Sequence, residues 1–479
     1  MAQESIAHKT ARTTFWGAIE QVSTLSVQFI ITMILARLLS PSDYGIIAIL
    51  TIFIAISQQF VECGISNALI RKQDCTQTDY STAFFFNVGV SCIVYVILFF
   101  IAPLIATFFK MDILSIVLRC YGLSIIFQSF RIVQYAILCK RLEFKKMAKV
   151  TALVTMMSGI LGIVFAYLGY GVWALVVQSV FLALSTSIAY FFILRWIPSF
   201  VFSLESFQYL WNFGSKMLLS GIISVTYTNL YSMVIGKIYD SKLLGLFNRS
   251  HQLANIYPNI VQKVFVRNSL PILSEIQDDQ ERLIKVYREF ITIVSFLTFP
   301  VVLLLFVIAK PFILFFLTDK WEGAIIYLQV FCLSSLLMPA NWINLNLLQV
   351  LGRSDLTLRA EIIKKLIGVV LIFSMVSFGP LILAISYSLY DIVIYCINLY
   401  YAKKLIGLSY FSQLKDLWPC LWASFISSFI AFLCMMLFEA NFLKIVVAMV
   451  VGLLTYFVIT KKNQKLDIYF KIQQLVKNK

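Results

Sequence analysis

Residues 84–109 read FFFNVGVSCIVYVILFFIAPLIATFF, a stretch without one charged side chain. A helix rises about 1.5 Å per residue, so this stretch is long enough to cross the ~30 Å hydrocarbon core of a bilayer. Its polar and apolar residues do not alternate with a period of two, as they would in a strand of a membrane β-barrel. The stretch therefore predicts a transmembrane helix.

Similar apolar segments recur along the whole chain and set its class. Of the 479 residues, 60% are hydrophobic and only 13% are charged, whereas a soluble domain has about 25% charged residues. Inside lipid, only helices and closed barrels satisfy their own backbone hydrogen bonds. We therefore predict an all-α polytopic membrane protein with about 14 transmembrane helices, in two six-helix lobes plus two C-terminal helices. The predicted spans lie near residues 15–39, 45–66, 84–109, 113–138, 148–167, 172–194, 210–236, 243–265, 290–309, 323–348, 362–378, 380–402, 421–438 and 441–460.

An internal repeat supports the division into lobes. Residues 34–46, ILARLLSPSDYGI, and residues 234–246, VIGKIYDSKLLGL, match at an offset of 200 and place Gly45 and Gly245 in register. Six predicted spans separate the two copies, so both halves have the same orientation, an arrangement typical of a rocking transporter. The predicted organisation is a first lobe over residues 1–200, a second over 201–405, two additional transmembrane helices over 406–460 and a basic cytoplasmic tail over 461–479.

The positive charge of the chain is placed asymmetrically. The formal net charge is +16 at pH 7, and with a cytoplasmic N-terminus the predicted cytoplasmic segments hold 27 of the 39 Lys and Arg residues. This is the positive-inside pattern, and it predicts that both termini are cytoplasmic. The surplus of basic residues then needs no nucleic acid to explain it, and we expect the basic tail to contact anionic membrane lipids.

Polar side chains within the spans predict a hydrated cavity. The eighth span has five amides at spacings of four and three, which place them on one helical face. Amides suit sugar hydroxyl groups, and cations suit a phosphate. The predicted cavity residues are Asn248, Arg249, Gln252, Asn255, Asn259 and Gln262 in that span, Gln128 and Arg131 in the fourth, and Lys216 in the seventh. Three carboxylates are candidates for ion coupling or internal ion pairs: Glu20, Glu62 and Asp391.

A second interpretation of the same residues is structural. Amides in membrane helices often join neighbouring helices, at about 0.6 kcal/mol for each hydrogen bond, and the cations can pair with the three carboxylates. A stripe of five amides favours the cavity, because an unpaired amide that faces lipid costs several kcal/mol.

Four segments resemble a known family. They are ARLLSPSDYG at residues 36–45, GISNALIRK at 64–72, KRLEFKK at 140–146 and GYGVWALV at 169–176. Through them the chain resembles the Wzx-type polysaccharide and O-antigen flippases of the multidrug/oligosaccharidyl-lipid/polysaccharide superfamily. The resemblance implies a bacterial inner membrane, an undecaprenyl-diphosphate-linked oligosaccharide as cargo, and alternating access without ATP hydrolysis. It also implies polysaccharide polymerase or export machinery as partners. The motifs are loop and packing signatures, so no substrate contact carries over from them.

Two other classes of function fit the sequence less well. An ion-coupled small-molecule or drug antiporter of the same superfamily would be expected to bury several carboxylates, whereas the buried cations here are at least as numerous. A membrane glycosyltransferase or polymerase would be expected to carry catalytic residues in a large external loop, and every predicted loop is short. The chain has neither a GxxxxGK[ST] nor an HExxH motif and only two histidines, so we predict no enzyme activity, metal or cofactor.

Overall fold

A computed structural model describes residues 27–461, and every regular element in this range is helical. Ten of its helices are long and apolar enough to cross a membrane, and an eleventh span results if Leu204–Thr228 and Leu230–Ile238, bent by 45°, count as one. The predicted fold class, an all-α polytopic membrane protein, is confirmed. The helices at Ser241–Val261 and Ser354–Met375 are also long but more polar, so the number of 14 spans stays a prediction.

The described residues divide into two compact units, which meet in sequence between Gly245 and Leu246. The predicted lobe boundary at residue 200 stays a prediction. Within the first unit, the helix at Leu204–Thr228 packs against the three helices at Pro41–Glu62, Ile65–Arg71 and Gln77–Phe109. The first unit contains α1 (Val27–Leu38), α2 (Pro41–Glu62), α3 (Ile65–Arg71), α4 (Gln77–Phe109), α5 (Ile113–Ser129), α6 (Ile132–Lys140), α7 (Phe144–Tyr167), α8 (Val172–Leu194), α9 (Leu204–Thr228) and α10 (Leu230–Ile238).

The second unit continues the helical chain. The helix α11 (Ser241–Val261) starts in the first unit and runs into the second, where it becomes a π-helix at Gln262–Val266. The helices that follow are α12 (Arg267–Glu275), α13 (Gln280–Val307), α14 (Ala309–Phe316), α15 (Ala324–Ser335), α16 (Met338–Val350), α17 (Ser354–Met375), α18 (Pro380–Ile406), α19 (Tyr410–Met435) and α20 (Asn441–Lys461).

Local sequence explains where two long helices begin. The side chain of Ser40 accepts a hydrogen bond from the Asp43 backbone N–H, and the Asp43 carboxylate accepts one from the Ser40 N–H at 2.9 Å. Thr76 and Asp79 form the same capping box at the start of α4. Each box satisfies backbone donors that a helix start leaves open, so both starts are specified by the residues themselves.

The surface of α4 is apolar over most of its length. Ile93, Val96, Phe100 and Leu104 are all exposed, and Phe100 is 72% exposed. A water-soluble surface rarely presents such a continuous row of large apolar side chains. The row therefore fits a helix whose outer face contacts lipid.

A buried polar network holds α19 against the rest of the second unit. The hydroxyl of Tyr287 donates to Asn344 Oδ1 at 2.6 Å, and the amide of Gln413 donates to that same oxygen at 2.9 Å. Tyr395 in turn donates its hydroxyl proton to Gln413 Oε1 at 2.8 Å. Four helices thus share one set of hydrogen bonds, which fixes the position of α19.

The repeated segments approach each other closely inside the first unit. A Cβ atom added at Gly45 would collide with the backbone carbonyl of Ser241, and one added at Gly245 would collide with the carbonyl of Pro41. Positions 41 and 45 thus contact positions 241 and 245 reciprocally. The two matched glycines are required because only a residue without a Cβ allows the two backbones to come this close.

Candidate functional site

Two of the membrane helices in the first unit are interrupted. The chain turns between α2 and α3 at Cys63 and Gly64, which have φ angles of 40° and 63°. The glycine suits this left-handed turn because it has no Cβ to clash with the backbone. A second interruption, at Phe130 and Arg131, separates α5 from α6. Since α2 packs against α5 and α3 packs against α6, the two interruptions lie next to each other.

A cavity of about 390 Å³ lies at these interruptions, and we call it the joint cavity. Three predicted site residues, Glu62, Gln128 and Arg131, line it together. The amide of Gln58 donates to Gln128 Oε1 at 3.1 Å, and the charge of Arg131 interacts with that of Glu62. Seven of its ten lining side chains are polar: the full lining is Gln58, Val61, Glu62, Ser66, Asn67, Ile125, Gln128, Arg131, Ile132 and Tyr135.

A second cavity of about 290 Å³ also uses α3, and we call it the basic cavity. It contains the predicted residue Lys216, which is exposed on α9, and Arg71 from the end of α3. The Arg71 guanidinium lies 5.2 Å from the centre of the Phe213 ring. The remaining lining residues are Ala68, Tyr209 and Asn212, so none of the carboxylates in residues 27–461 lines this cavity.

The neighbouring cation Lys72 is in a different environment. Its ammonium lies 2.8 Å from the carboxylate of Asp79, and this hydrogen bond raises the pKa of Lys72 above its ordinary value. The lysine is therefore charged at neutral pH, and Asp79 compensates its charge. Arg71 and Lys216, in contrast, present their charges to the basic cavity.

The predicted amide stripe of α11 lies in several environments. Asn255 is buried; it donates to the carbonyl of His251 and accepts from the Ser335 hydroxyl at 3.0 Å. Its contacts are those of a residue that joins α11 to α15. Gln252 and Asn259 are exposed, whereas Asn248 is half-buried.

Arg249 lies on α11 and is only 4% exposed. One of its guanidinium nitrogens lies 3.4 Å from Gln252 Oε1. A buried guanidinium is costly in an apolar environment, so this position requires polar surroundings.

Gln262 marks the change from α-helix to π-helix and lines a third cavity. This cavity of about 420 Å³ also contains Lys263 and Asn346. The Asn346 amide donates to the carbonyl of Val266 and to the Ser269 hydroxyl, both at 2.9 Å. Single-turn π-helices are frequent at functional sites, and here the widened turn exposes Gln262 to the cavity.

The two described candidate carboxylates, Glu62 and Asp391, belong to different units. Glu62 lines the joint cavity, and Asp391 lies on α18 beside the Ser334 hydroxyl of α15. One turn away from Asp391, the Tyr387 hydroxyl is 3.0 Å from His251 Nε2. Glu20 lies outside the described residues.

Sequence reasoning missed several residues of these cavities. Gln58 precedes Glu62 by four positions, and Tyr135 follows Arg131 by four, so helical spacing could have added both to the predicted set. Arg71 lies beyond the predicted span near residues 45–66, because hydropathy alone does not show that a helix resumes after the Gly64 turn and continues to Arg71.

Comparison with known proteins identifies the group to which the chain is related. Residues 34–326, more than half of the sequence, match the Polysaccharide biosynthesis protein family. The chain belongs to this family. Lipopolysaccharide biosynthesis protein WzxC of Escherichia coli K12 is 25% identical over 429 residues, which are 86% of this chain and 85% of WzxC.

Solved structures share the fold of this family member. The lipid II flippase MurJ in an inward closed conformation matches with a TM-score of 0.75 at 17% identity, over 93% of this chain and 98% of MurJ. An inward-facing multidrug resistance MATE transporter matches with a TM-score of 0.63 at 16% identity, over 81% of this chain and 98% of the transporter. These likenesses support the predicted fold class, an all-α polytopic membrane protein.

Proposed function

We propose that this protein is a flippase that moves an undecaprenyl-diphosphate-linked oligosaccharide, a polysaccharide precursor, across a membrane by alternating access. The joint cavity is the observation that carries the proposal. It places a carboxylate, a guanidinium and several amides at the interruption of two apolar helices. A charge in hydrocarbon costs at least ~2.5 kcal/mol, so such groups in a membrane helix mark a functional pathway.

The chemistry of the cavities fits both polar parts of this cargo. Amides, hydroxyls and charged groups in the joint cavity suit sugar hydroxyl groups, while Arg71 and Lys216 in the basic cavity suit the diphosphate. The names of related proteins point in the same direction, since WzxC is a lipopolysaccharide biosynthesis protein and MurJ is a lipid II flippase. We infer that the protein is a transporter and not an enzyme.

The proposal includes a cellular setting. We place the protein in the bacterial inner membrane with both termini in the cytoplasm, since this orientation puts most Lys and Arg residues inside. Membrane lipids would contact the apolar helix surfaces and the basic tail. The polysaccharide polymerase or export machinery would receive the cargo on the outer side.

Transport by the purified protein in liposomes tests the proposal. The wild type is expected to move fluorescently labelled lipid-linked oligosaccharide between leaflets, as measured by the accessibility of the label to an impermeant quencher. Replacement of both cations of the basic cavity, Arg71→Ala with Lys216→Ala, is expected to lower the rate by about a hundredfold or more, since charge-assisted hydrogen bonds contribute about 1.5–3 kcal/mol each.

A matched control separates this effect from a general loss of charge. Lys310 is an exposed lysine on α14, outside the three cavities, and Lys310→Ala is expected to leave transport unchanged. Full transport by the double variant would remove Arg71 and Lys216 from the proposed site. A wild type that moves no lipid-linked oligosaccharide but exchanges small organic cations for protons or sodium would instead identify a drug antiporter.

A further inference from the structure

The joint cavity and the basic cavity are neighbours that share α3. Ser66 and Asn67 line the joint cavity, and Ala68 and Arg71 line the basic cavity. The Asn67 side-chain nitrogen lies 3.7 Å from the sulfur of Met217, which follows Lys216 in the chain. Asn67, which lines the joint cavity, is therefore in contact with the residue that follows Lys216 of the basic cavity.

The two cavities differ in charge. The joint cavity contains Glu62 together with Arg131, whereas the basic cavity contains Arg71 and Lys216 and has no carboxylate among the described residues that line it. A diphosphate is attracted by the two cations of the basic cavity and repelled by Glu62 in the joint cavity. The charge pattern thus assigns phosphate and sugar to different cavities.

The joint cavity has the hydrogen-bonding capacity that a sugar requires. Each sugar hydroxyl both donates and accepts, and the cavity offers Glu62 as an acceptor, Arg131 as a donor and the amides of Gln58 and Gln128 as both. Tyr135, which is 40% exposed, adds an aromatic ring for the apolar face of a pyranose.

The volume of the joint cavity and the fixed orientation of its amides also favour a sugar as its ligand. A volume of about 390 Å³ lies within the ordinary range for small-molecule sites and holds one sugar residue with its hydroxyl groups. The hydrogen bond between Gln58 and Gln128 already orients both amides, so less entropy is lost when a sugar binds.

We propose that the joint cavity is the saccharide subsite of this transporter, in which Glu62, Gln128, Arg131 and Tyr135 bind a sugar residue of the lipid-linked glycan. The phosphate of the same molecule then lies in the basic cavity, between Arg71 and Lys216. This inference rests on the proposed function and specifies which part of the cargo each cavity binds. The joint cavity would accordingly set which glycan is accepted.

Binding measurements with two probes test this division. The probes are lipid-linked oligosaccharide extracted from the source bacterium and undecaprenyl diphosphate without a sugar, each titrated into purified full-length protein in detergent. Glu62→Gln and Tyr135→Ala are expected to weaken binding of the sugar-bearing lipid about tenfold or more and to leave binding of the sugar-free lipid unchanged. Arg71→Ala with Lys216→Ala is expected to weaken binding of both probes.

Two conservative variants, Glu62→Gln from the test set and the additional Tyr135→Phe, guard against effects on folding. Glu62→Gln keeps the size of the side chain, and Tyr135→Phe removes only the hydroxyl, so each is expected to give protein with wild-type yield and elution volume. Equal losses for both probes in the Glu62 and Tyr135 variants, or no loss for either probe, would overturn the saccharide subsite. A wild type that binds and moves neither probe would overturn the proposed function itself, and this outcome is distinct from the other two.

Discussion

Asn255 and Asn259 lie four positions apart on α11, yet the first is buried and the second is exposed. Pro258 lies between them and cannot donate a backbone hydrogen bond, and the π-helix that starts at Gln262 changes the helical register further. The amides of the stripe therefore lie in different environments. In this stripe, Asn255 joins helices, whereas Asn259 is open to solvent or ligand.

Replacement of Asn255 by alanine tests the structural role of this residue. Asn255→Ala removes the hydrogen bond from the Ser335 hydroxyl and the one to the His251 carbonyl, so we expect a destabilisation of about 1–3 kcal/mol. The measurement is the thermal unfolding of the purified protein in detergent. Asn259→Ala is the matched control and is expected to change stability by less than about 0.5 kcal/mol. Equal stability of the two variants would contradict the assignment of Asn255 as a link between helices.

The candidate residues show what sequence alone can and cannot provide. Composition and hydropathy suffice for the helical membrane fold, because the cost of exposing backbone groups to lipid leaves no other solution for long apolar runs. Spacing alone does not bring Glu62 and Arg131 together, since their proximity depends on how α2 packs against α5. The turn at Cys63–Gly64 could not be predicted either, because the hydropathy of an apolar segment is the same whether its helix is continuous or interrupted.

At the scale of elements, interrupted and closely packed helices define the first unit. The interruptions of α2–α3 and α5–α6 create the joint cavity, while the reciprocal contact of Gly45 and Gly245 brings the starts of α2 and α11 together. The sequence repeat thus corresponds to a physical contact between its two copies. Gly–backbone contacts of this kind are typical of closely packed membrane helices.

Substitution of Gly45 tests the importance of that contact. Gly45→Ala would place a methyl group against the backbone carbonyl of Ser241, which cannot move away as a flexible side chain can. We expect a loss of about 1–3 kcal/mol in stability, measured as a lower unfolding temperature in detergent. Gly89→Ala is the matched control, since nothing lies within 4 Å of its added Cβ and alanine favours a helix by about 1 kcal/mol over glycine. A Gly45→Ala protein as stable as the control would show that the two helix starts are not in close contact.

At the scale of the whole molecule, the apolar helix faces and the positively charged residues occupy different parts of the chain. The exposed apolar row on α4 fits outer helix faces that contact lipid, while many Lys and Arg residues lie at or near the connections between the spans. Lys110 follows the C-terminal end of α4, and Lys145 lies in the first turn of α7, directly after the connection from α6. Because α5 and α6 together form one interrupted span, the two lysines belong to opposite sides of the membrane.

The proposed orientation of the chain can be tested at this pair of positions. The segment around Lys145 has four further basic residues, at 140, 141, 146 and 149, whereas Lys110 has no other basic residue within eight positions, so we propose from the positive-inside rule that Lys145 is cytoplasmic. Single cysteines at the two exposed positions, in a variant without other cysteines, are expected to react differently with an impermeant maleimide. In intact spheroplasts only Lys110→Cys should be labelled, and in inside-out vesicles only Lys145→Cys. The reverse pattern would invert the proposed orientation. The basic cavity opens beside Arg71, at the same end of the span as Lys145. An inverted orientation would therefore also place this cavity on the side opposite to the one where a lipid-linked precursor is synthesised.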